Sequence, residues 1–172
     1  MIFLETNRLI FRTHEPQDEV DFIRMHTDPE VRRYVGGKAW PVEKAVARFR
    51  DSYLGNPSEI YGLWATILKE EGGYIGSCGL NARENDAGAA SLGYYLARPY
   101  WRRGLATEAC RGFVEVAFLR LRLERLQATV EQGNEASERI LRRLGFSLIG
   151  REEIPGRVLL LYELPREEWG RT

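Results

Sequence analysis

Apolar positions recur along this chain with two different periods, and the changes of period mark its elements. Residues 3–13 end in Leu9-Ile10-Phe11-Arg12, a β-rich stretch, and read as one strand. Pro16 then opens a helical pattern carrying Val20, Phe22, Ile23 and Met25, because proline is well placed in a first turn. Asp28-Pro29 breaks it, a short helical piece with Val31 follows, and Gly36-Gly37 is a loop. Pro41 starts a second helix through Val42, Ala45, Val46 and Phe49, which Gly55-Asn56-Pro57-Ser58 ends. The middle is β: Tyr61–Leu68, a turn at Lys69–Gly73, Tyr74–Leu80, a turn at Asn85–Gly88, and Ala90–Ala97. Within the second of these strands, Gly76 and Gly79 mark bulges or close backbone approach.

After Pro99 the period becomes helical. Leu105, Ala109, Phe113, Ala117 and Leu121 recur every fourth residue and predict a helix of about five turns. Leu126–Glu131 alternates as a half-buried strand. Asn134 is a good N-cap for a short helix whose buried stripe is Ala136, Ile140, Leu141 and Leu144. Gly145 is placed to terminate that helix. Phe146–Ile149 and Val158–Leu164 are two last strands around Pro155-Gly156. One strand–helix–strand unit therefore interrupts an antiparallel meander. The pattern predicts an α+β fold: a mixed, mostly antiparallel sheet of six or seven strands flanked by helices. Ala90–Ala97 and Leu126–Glu131 would be the parallel pair, joined by a right-handed crossover and splayed apart at their C-terminal ends.

Length and composition narrow the classes. At 172 residues, with no linker or repeat, the chain reads as a single domain over residues 1–172. Hydrophobic residues at 44% and charged ones at 29% exclude disorder as the main state. The 25 basic and 25 acidic residues balance, which argues against a nucleic-acid partner but leaves room for a local basic pocket. Cys78 and Cys110 make no disulfide framework, and with His14 and His26 they make no metal-ligand spacing. No apolar run suits a membrane span or a signal peptide, so a cytoplasmic setting without membrane attachment is expected. Monomer and homodimer are both compatible with the sequence.

Two segments carry chemistry. In Ala97-Arg98-Pro99-Tyr100-Trp101-Arg102-Arg103-Gly104-Leu105-Ala106-Thr107-Glu108 a strand ends and a long helix begins at Gly-x-Ala. A helix N-terminus offers unpaired N–H groups and partial positive charge, and small residues let an oxyanion approach the backbone. With Arg102 and Arg103 beside it, this turn suits a pyrophosphate. The plain alternative is a helix start with Gly for the turn and Ala for packing. No Gly-Lys-Ser/Thr follows and the third glycine of a dinucleotide fingerprint is missing. The second segment, Asn134-x-x-Ser137, would sit at the rim of a slot between the splayed strands; its plain alternative is a cap and nothing more.

Together with Glu5-Thr6-Asn7-Arg8-Leu9-Ile10-Phe11-Arg12, Asp28-Pro29-Glu30-Val31 and Leu144-Gly145-Phe146, these segments resemble the GCN5-related N-acetyltransferase superfamily, in its RimJ/RimL-like branch. The likeness covers about residues 3–164, in order. Trp101 stands where most of the superfamily has Gln or Arg, as is common in this branch. The resemblance implies an acetyl-CoA-dependent N-acetyltransferase acting on a primary amine by direct attack in a ternary complex. The amine would be a small molecule or a protein N-terminus. It implies that Arg102, Arg103, Gly104, Leu105, Ala106 and Thr107 cradle the pyrophosphate. Tyr95 and Leu96 would pair with the pantetheine as strand addition does, and Asn134 would bond the same arm. Ser137 would serve the leaving thiolate. Glu153, or Glu152 beside it, would take the amine's proton, with Glu84 and Glu30 as lesser candidates. No metal takes part. A non-catalytic acyl-CoA-binding module and an acyltransferase for longer acyl groups are the alternatives.

Overall fold

The computed structural model describes residues 1–55 and 60–170, so Asn56, Pro57 and Ser58 of the expected helix end lie outside the described residues. The first difference from the sequence reading is at the start. Residues 3–13 are not one strand but a hairpin of β1 (Ile2–Glu5) and β2 (Leu9–Arg12). The Thr6 N–H donates to the Leu9 carbonyl at 2.9 Å and the Thr6 hydroxyl accepts from the Leu9 N–H at 3.3 Å, closing a turn inside a β-rich run. Among the described residues the sheet consequently has eight strands rather than six or seven.

Helices α1 (Glu19–Thr27), α2 (Pro29–Arg32) and α3 (Val42–Arg48) follow. Next come β3 (Gly62–Leu68), β4 (Tyr74–Arg83) and β5 (Asp86–Leu96). The β4–β5 hairpin runs further than predicted, because Asn85 takes a left-handed φ of 64° and lets Arg83 pair with Asp86. Then α4 (Leu105–Glu115) runs on through a wider turn over Val116–Arg120, and β6 (Arg125–Glu131), α5 (Glu135–Arg143), β7 (Ser147–Ile154) and β8 (Arg157–Pro165) complete the chain. The order across the sheet is β1-β2-β3-β4-β5-β6-β8-β7, and only β5 and β6 are parallel.

Two cores sit on the two faces. Leu105, Ala109, Cys110 and Phe113 of α4, with Leu141 of α5 and Leu144 at its C-cap, pack with Trp64, Leu80 and Leu126 of the sheet. Phe22 and Met25 of α1, with Phe49 beyond α3, pack on Ala65, Ile67 and Tyr74. Both cysteines are buried and free, as core residues. Ala136, expected in the stripe of α5, is exposed; it faces solvent one turn before Ile140 and Leu141 turn inward. Past the end of α5, the Phe146 N–H bonds the Leu141 carbonyl and the Gly145 N–H bonds that of Arg142, with Gly145 at φ 92°. This is the Schellman closure that its glycine announced. Gly76 and Gly79 are close-approach positions, since a Cβ would stand 2.0 Å from the Tyr95 oxygen and 1.9 Å from the Gly62 oxygen respectively.

Candidate active site

Strands β5 and β6 share a ladder only over Ala89–Ser91 and Arg125–Gln127, then separate. Leu92–Leu96 of β5 thus presents an edge with no strand partner on the β6 side, and a cavity of about 160 Å³ opens between the strands. Its walls are Leu92–Tyr95, Ala128–Glu131, the Tyr34-Val35 segment, and Asn134, Ser137 and Leu141 of α5. Successive strand side chains point to opposite faces. Accordingly Tyr94 packs into the α4/α5 core and Tyr95 against the α1/α3 core.

The loop ahead of α4 lies at the end of β5. Arg102 and Gly104 both take left-handed φ values, 60° and 76°, and Gly104 is the N-cap with no side chain capping the first turn. The first-turn N–H groups of Leu105, Ala106 and Thr107 are therefore left to an outside acceptor. Trp101 pins the loop to the strand by donating its indole N–H to the Leu96 carbonyl at 2.8 Å. Arg103 stands 3.6 Å from Glu71 and over the Tyr100 ring, so part of its charge is already balanced; Arg102 has no ion pair among the described residues.

The N-terminal hairpin supports this loop from behind. Glu108, in the first turn of α4, accepts from the Thr6 hydroxyl (2.7 Å), the Arg8 N–H (2.7 Å) and the Arg8 Nε (2.6 Å). The Arg8 guanidinium also donates to the Arg103 carbonyl at 2.9 Å. Burial alone would raise the Glu108 pKa, but these hydrogen bonds outweigh it and hold the carboxyl below its ordinary value. Thr6, Arg8 and Glu108 are thus one structural unit, although Glu108 lies 102 and 100 residues along the chain from the other two.

At the far rim, the Asn134 side-chain oxygen accepts the Ser137 N–H at 3.2 Å. The cap is present, and the Asn134 amide N–H groups make no hydrogen bond among the described residues. Tyr94 was not singled out in the sequence. Its buried hydroxyl faces Ser137 without closing a hydrogen bond of ordinary geometry, and burial pushes its pKa up. A simple alternation count along β5 would have placed it opposite Tyr95, on the α5 side.

The carboxylates are dispersed. Glu153 lines a second, open groove of about 590 Å³ at the β7–β8 turn and pairs with Arg151 at 3.1 Å. Glu131, at the C-terminal end of β6, lines both this groove and the slot and pairs with Arg157 at 3.0 Å. Glu30 stands 3.9 Å from Arg33. Glu84 sits at the β4–β5 turn, at the opposite end of β5 from the slot, so it does not belong to the site. Glu131 went unremarked because alternation marks it only as a strand residue; its place at the mouth follows from the divergence of β6 from β5.

Comparison with known proteins agrees with this geometry. The acetyltransferase (GNAT) domain family matches residues 8–147. The chain is 32% identical over 167 residues to the uncharacterised N-acetyltransferase p20 of Bacillus licheniformis, covering 92% of each. A GNAT-family acetyltransferase from Bacillus anthracis superposes with a TM-score of 0.85 at 21% identity, over 98% of this chain and 100% of that one. The ribosomal L7/L12 α-N-protein acetyltransferase RimL, solved with coenzyme A, superposes with a TM-score of 0.74 at 15% identity, over 96% and 98%. A splayed parallel pair with a helix N-terminus at its mouth, and a family match over most of the chain, lead to one conclusion: this chain belongs to the GNAT acetyltransferase family, in its RimJ/RimL-like branch, and is an N-acetyltransferase.

Proposed function

We propose that the protein transfers the acetyl group of acetyl-CoA to a primary amine by direct attack, with both substrates bound. The observation that carries this is the slot between β5 and β6 with the uncapped start of α4 beside it. Acetyl-CoA would supply an acetyl carbon activated by its thioester. The backbone N–H groups of residues 102–107, with Arg102 and Arg103, would hold its pyrophosphate. The free edge at Tyr95 and Leu96 would bond the pantetheine as an added strand, with Asn134 on the other side. A backbone N–H of that edge would polarise the thioester carbonyl.

The acceptor must be a free amine when it attacks, and ammonium groups lose their protons near pH 8–10. Glu153 would accept that proton from the groove side. The C–N bond forms as the C–S bond breaks, the nitrogen sheds its remaining extra proton, and the Ser137 hydroxyl relays it by giving its own proton to the departing sulfur and regaining that one, so CoA leaves as the thiol. RimL is a protein acetyltransferase, so a protein N-terminus joins small amines as an acceptor to be tested.

Thiol release from acetyl-CoA with a panel of amines tests the activity, and two variants test the assignments. Gly104→Asp places a carboxylate where the pyrophosphate would lie. Acetyl-CoA affinity should fall at least tenfold, about 1.4 kcal/mol. Gly104→Ala is the control, because it shares the left-handed backbone strain of about 1 kcal/mol without the charge. Equal affinities of the two variants, measured by calorimetry, reject the site. Ser137→Ala should lower kcat on the order of tenfold while leaving acetyl-CoA binding intact, below the ~10²–10⁴ of a strong general acid. If Ser137 only shapes the first turn of α5, stability drops slightly and kcat stays.

A further inference from the structure

Only two charged side chains are buried among the described residues, Asp18 and Arg32, and the fold treats them differently. Asp18 is 2% exposed and fully answered, because Arg12 grips both its oxygens at 2.7 and 2.8 Å. Arg32, the last residue of α2, is 7% exposed and has no carboxylate within ion-pair distance among the described residues. Its Nε is wholly buried without a hydrogen-bond partner among the described residues. An unpaired charge taken out of water is strongly unfavourable, so folds rarely leave one without a reason.

Asp28 and Glu30, the acids beside Arg32 in sequence, and Glu131 all pair with other arginines: Asp28 with Arg98 at 3.4 Å, Glu30 with Arg33, and Glu131 with Arg157. Arg157 itself adds positive charge near Arg32, and the neighbouring hydroxyls of Tyr53 and Tyr95 stay protonated because burial raises their pKa. The guanidinium is held from below by Trp40, whose ring centroid is 4.3 Å from Cζ, and Trp40 stacks in turn on the buried, neutral His26 at 4.5 Å. A planar fork, rigidly stacked and with its donors unspent, is the arrangement that receives a carboxylate in two parallel hydrogen bonds.

The position relative to the slot supplies the rest. Arg32 accepts the Val35 N–H at its carbonyl, which sets Tyr34 and Val35 against the slot wall, and Tyr95 is shared between that wall and the surroundings of Arg32. Trp40 and Tyr95, which adjoin Arg32, pack with the α1/α3 core, so a molecule held by Arg32 would approach the β5–β6 gap from that face, opposite α4. We propose that Arg32 docks a carboxylate carried by the acceptor, so that the acceptor is a small aminocarboxylate of the amino-acid class. This rests on the acetyl-transfer reading above. A cluster of Arg32 and Arg157 also opposes polycationic acceptors such as polyamines.

The test compares amino acids with α, β and γ spacing between amine and carboxylate, the matching primary amides, the aminoalkyl phosphonates, a polyamine and neutral-sided peptides. The proposal expects KM for the best aminocarboxylate to lie at least 30-fold below that of its amide. A phosphonate matching the carboxylate makes the docking group a general anion site; a carboxylate preference makes it specific, and either outcome supports Arg32 as the docking group. Arg32→Met should raise KM for the acid at least 30-fold, spare kcat, and erase the acid–amide difference. Its melting temperature should hold or rise, because an unpaired buried charge is removed. Arg32→Lys keeps the charge but loses the fork, and should recover only part of the discrimination.

Equal use of acid and amide overturns the proposal, as does better use of the neutral peptides. So does a lower melting temperature in Arg32→Met with discrimination intact, which makes Arg32 a staple for Trp40. A wild-type protein that binds acetyl-CoA but neither acetylates any aminocarboxylate nor is thermally stabilised by one also overturns it, and leaves the cofactor assignment standing. Failure to bind acetyl-CoA by calorimetry sinks the acetyl-transfer reading itself.

Discussion

Turnover by Glu153→Gln is expected to fall by ~10² or more near pH 7 and to recover as pH rises. The reasoning is about proton supply. A carboxylate within reach of the bound ammonium removes its proton at neutral pH, and general bases of this kind contribute ~10²–10⁴-fold. Gln preserves shape and hydrogen bonding but accepts no proton. At high pH the free amine accumulates in solution and the deficit closes. Glu153 is 69% exposed on its side chain and paired with Arg151, a loose placement that puts it in the outer groove. Glu131 is 15% exposed and borders both cavities, so it is the comparison. A pH–rate profile of Glu153→Gln that overlays the parent's, with Glu131→Gln depressed at neutral pH, transfers the role to Glu131.

Acid should destabilise the protein well before its carboxylates are neutralised. His14 and His26 are 1% and 0% exposed, and burial pulls their pKa from 6.5 down to about 4 and about 3. The His14 Nε2 meets the Ser77 hydroxyl at 3.0 Å, and neither ring nitrogen of His26 has a partner. Below pH 6.5 the unfolded chain takes up protons that the folded rings refuse, so stability is full above pH 6.5 and lost as pH falls toward 3. At about 1.4 kcal/mol per pKa unit, the two rings together forfeit at most roughly 6 kcal/mol by pH 4, comparable with a domain's whole ~5–15 kcal/mol. His26→Phe retains the ring between Phe22 and Trp40, 4.3 and 4.5 Å away, and removes one titration. Its melting temperature should therefore fall less than the parent's between pH 7 and pH 4.5. Equal falls in the two proteins would show that His26 charges without penalty.

The acceptor face of the molecule was the part least readable in advance. Arg32 looked like any arginine of an Arg-rich chain; what distinguishes it is the lack of a carboxylate partner among the described residues, and partners are chosen by folding. The significance of Tyr94 and Glu131 was hidden for a related reason, although alternation alone gives the face on which Tyr94 lies. Their significance comes from a gap between two strands whose ladder stops after three residue pairs, and no local pattern states where a ladder stops. Glu84, by contrast, was excluded only when the β4–β5 hairpin placed it at the far end of β5.

What the sequence by itself determined is what rests on local physics. Strand character along β3, β4 and β5, alternation along β6, the four-residue stripe of α4, the Asn134 cap and the Gly145 closure are all set by period and backbone preference, and each stands within a few residues of where it was read, with the β4–β5 hairpin running longer. The glycine at the head of α4 announced a helix start that leaves its first N–H groups bare, because only a residue tolerant of positive φ fits there. What only the tertiary structure decided is non-local. The first strand became a hairpin because Thr6 could close a turn on Leu9 while Glu108, far along the chain, held Thr6 and Arg8 in place. The charge left unpaired at Arg32 belongs to the same category. A side chain's partners are chosen when distant segments are packed against one another, and burial then makes the presence or absence of a partner matter.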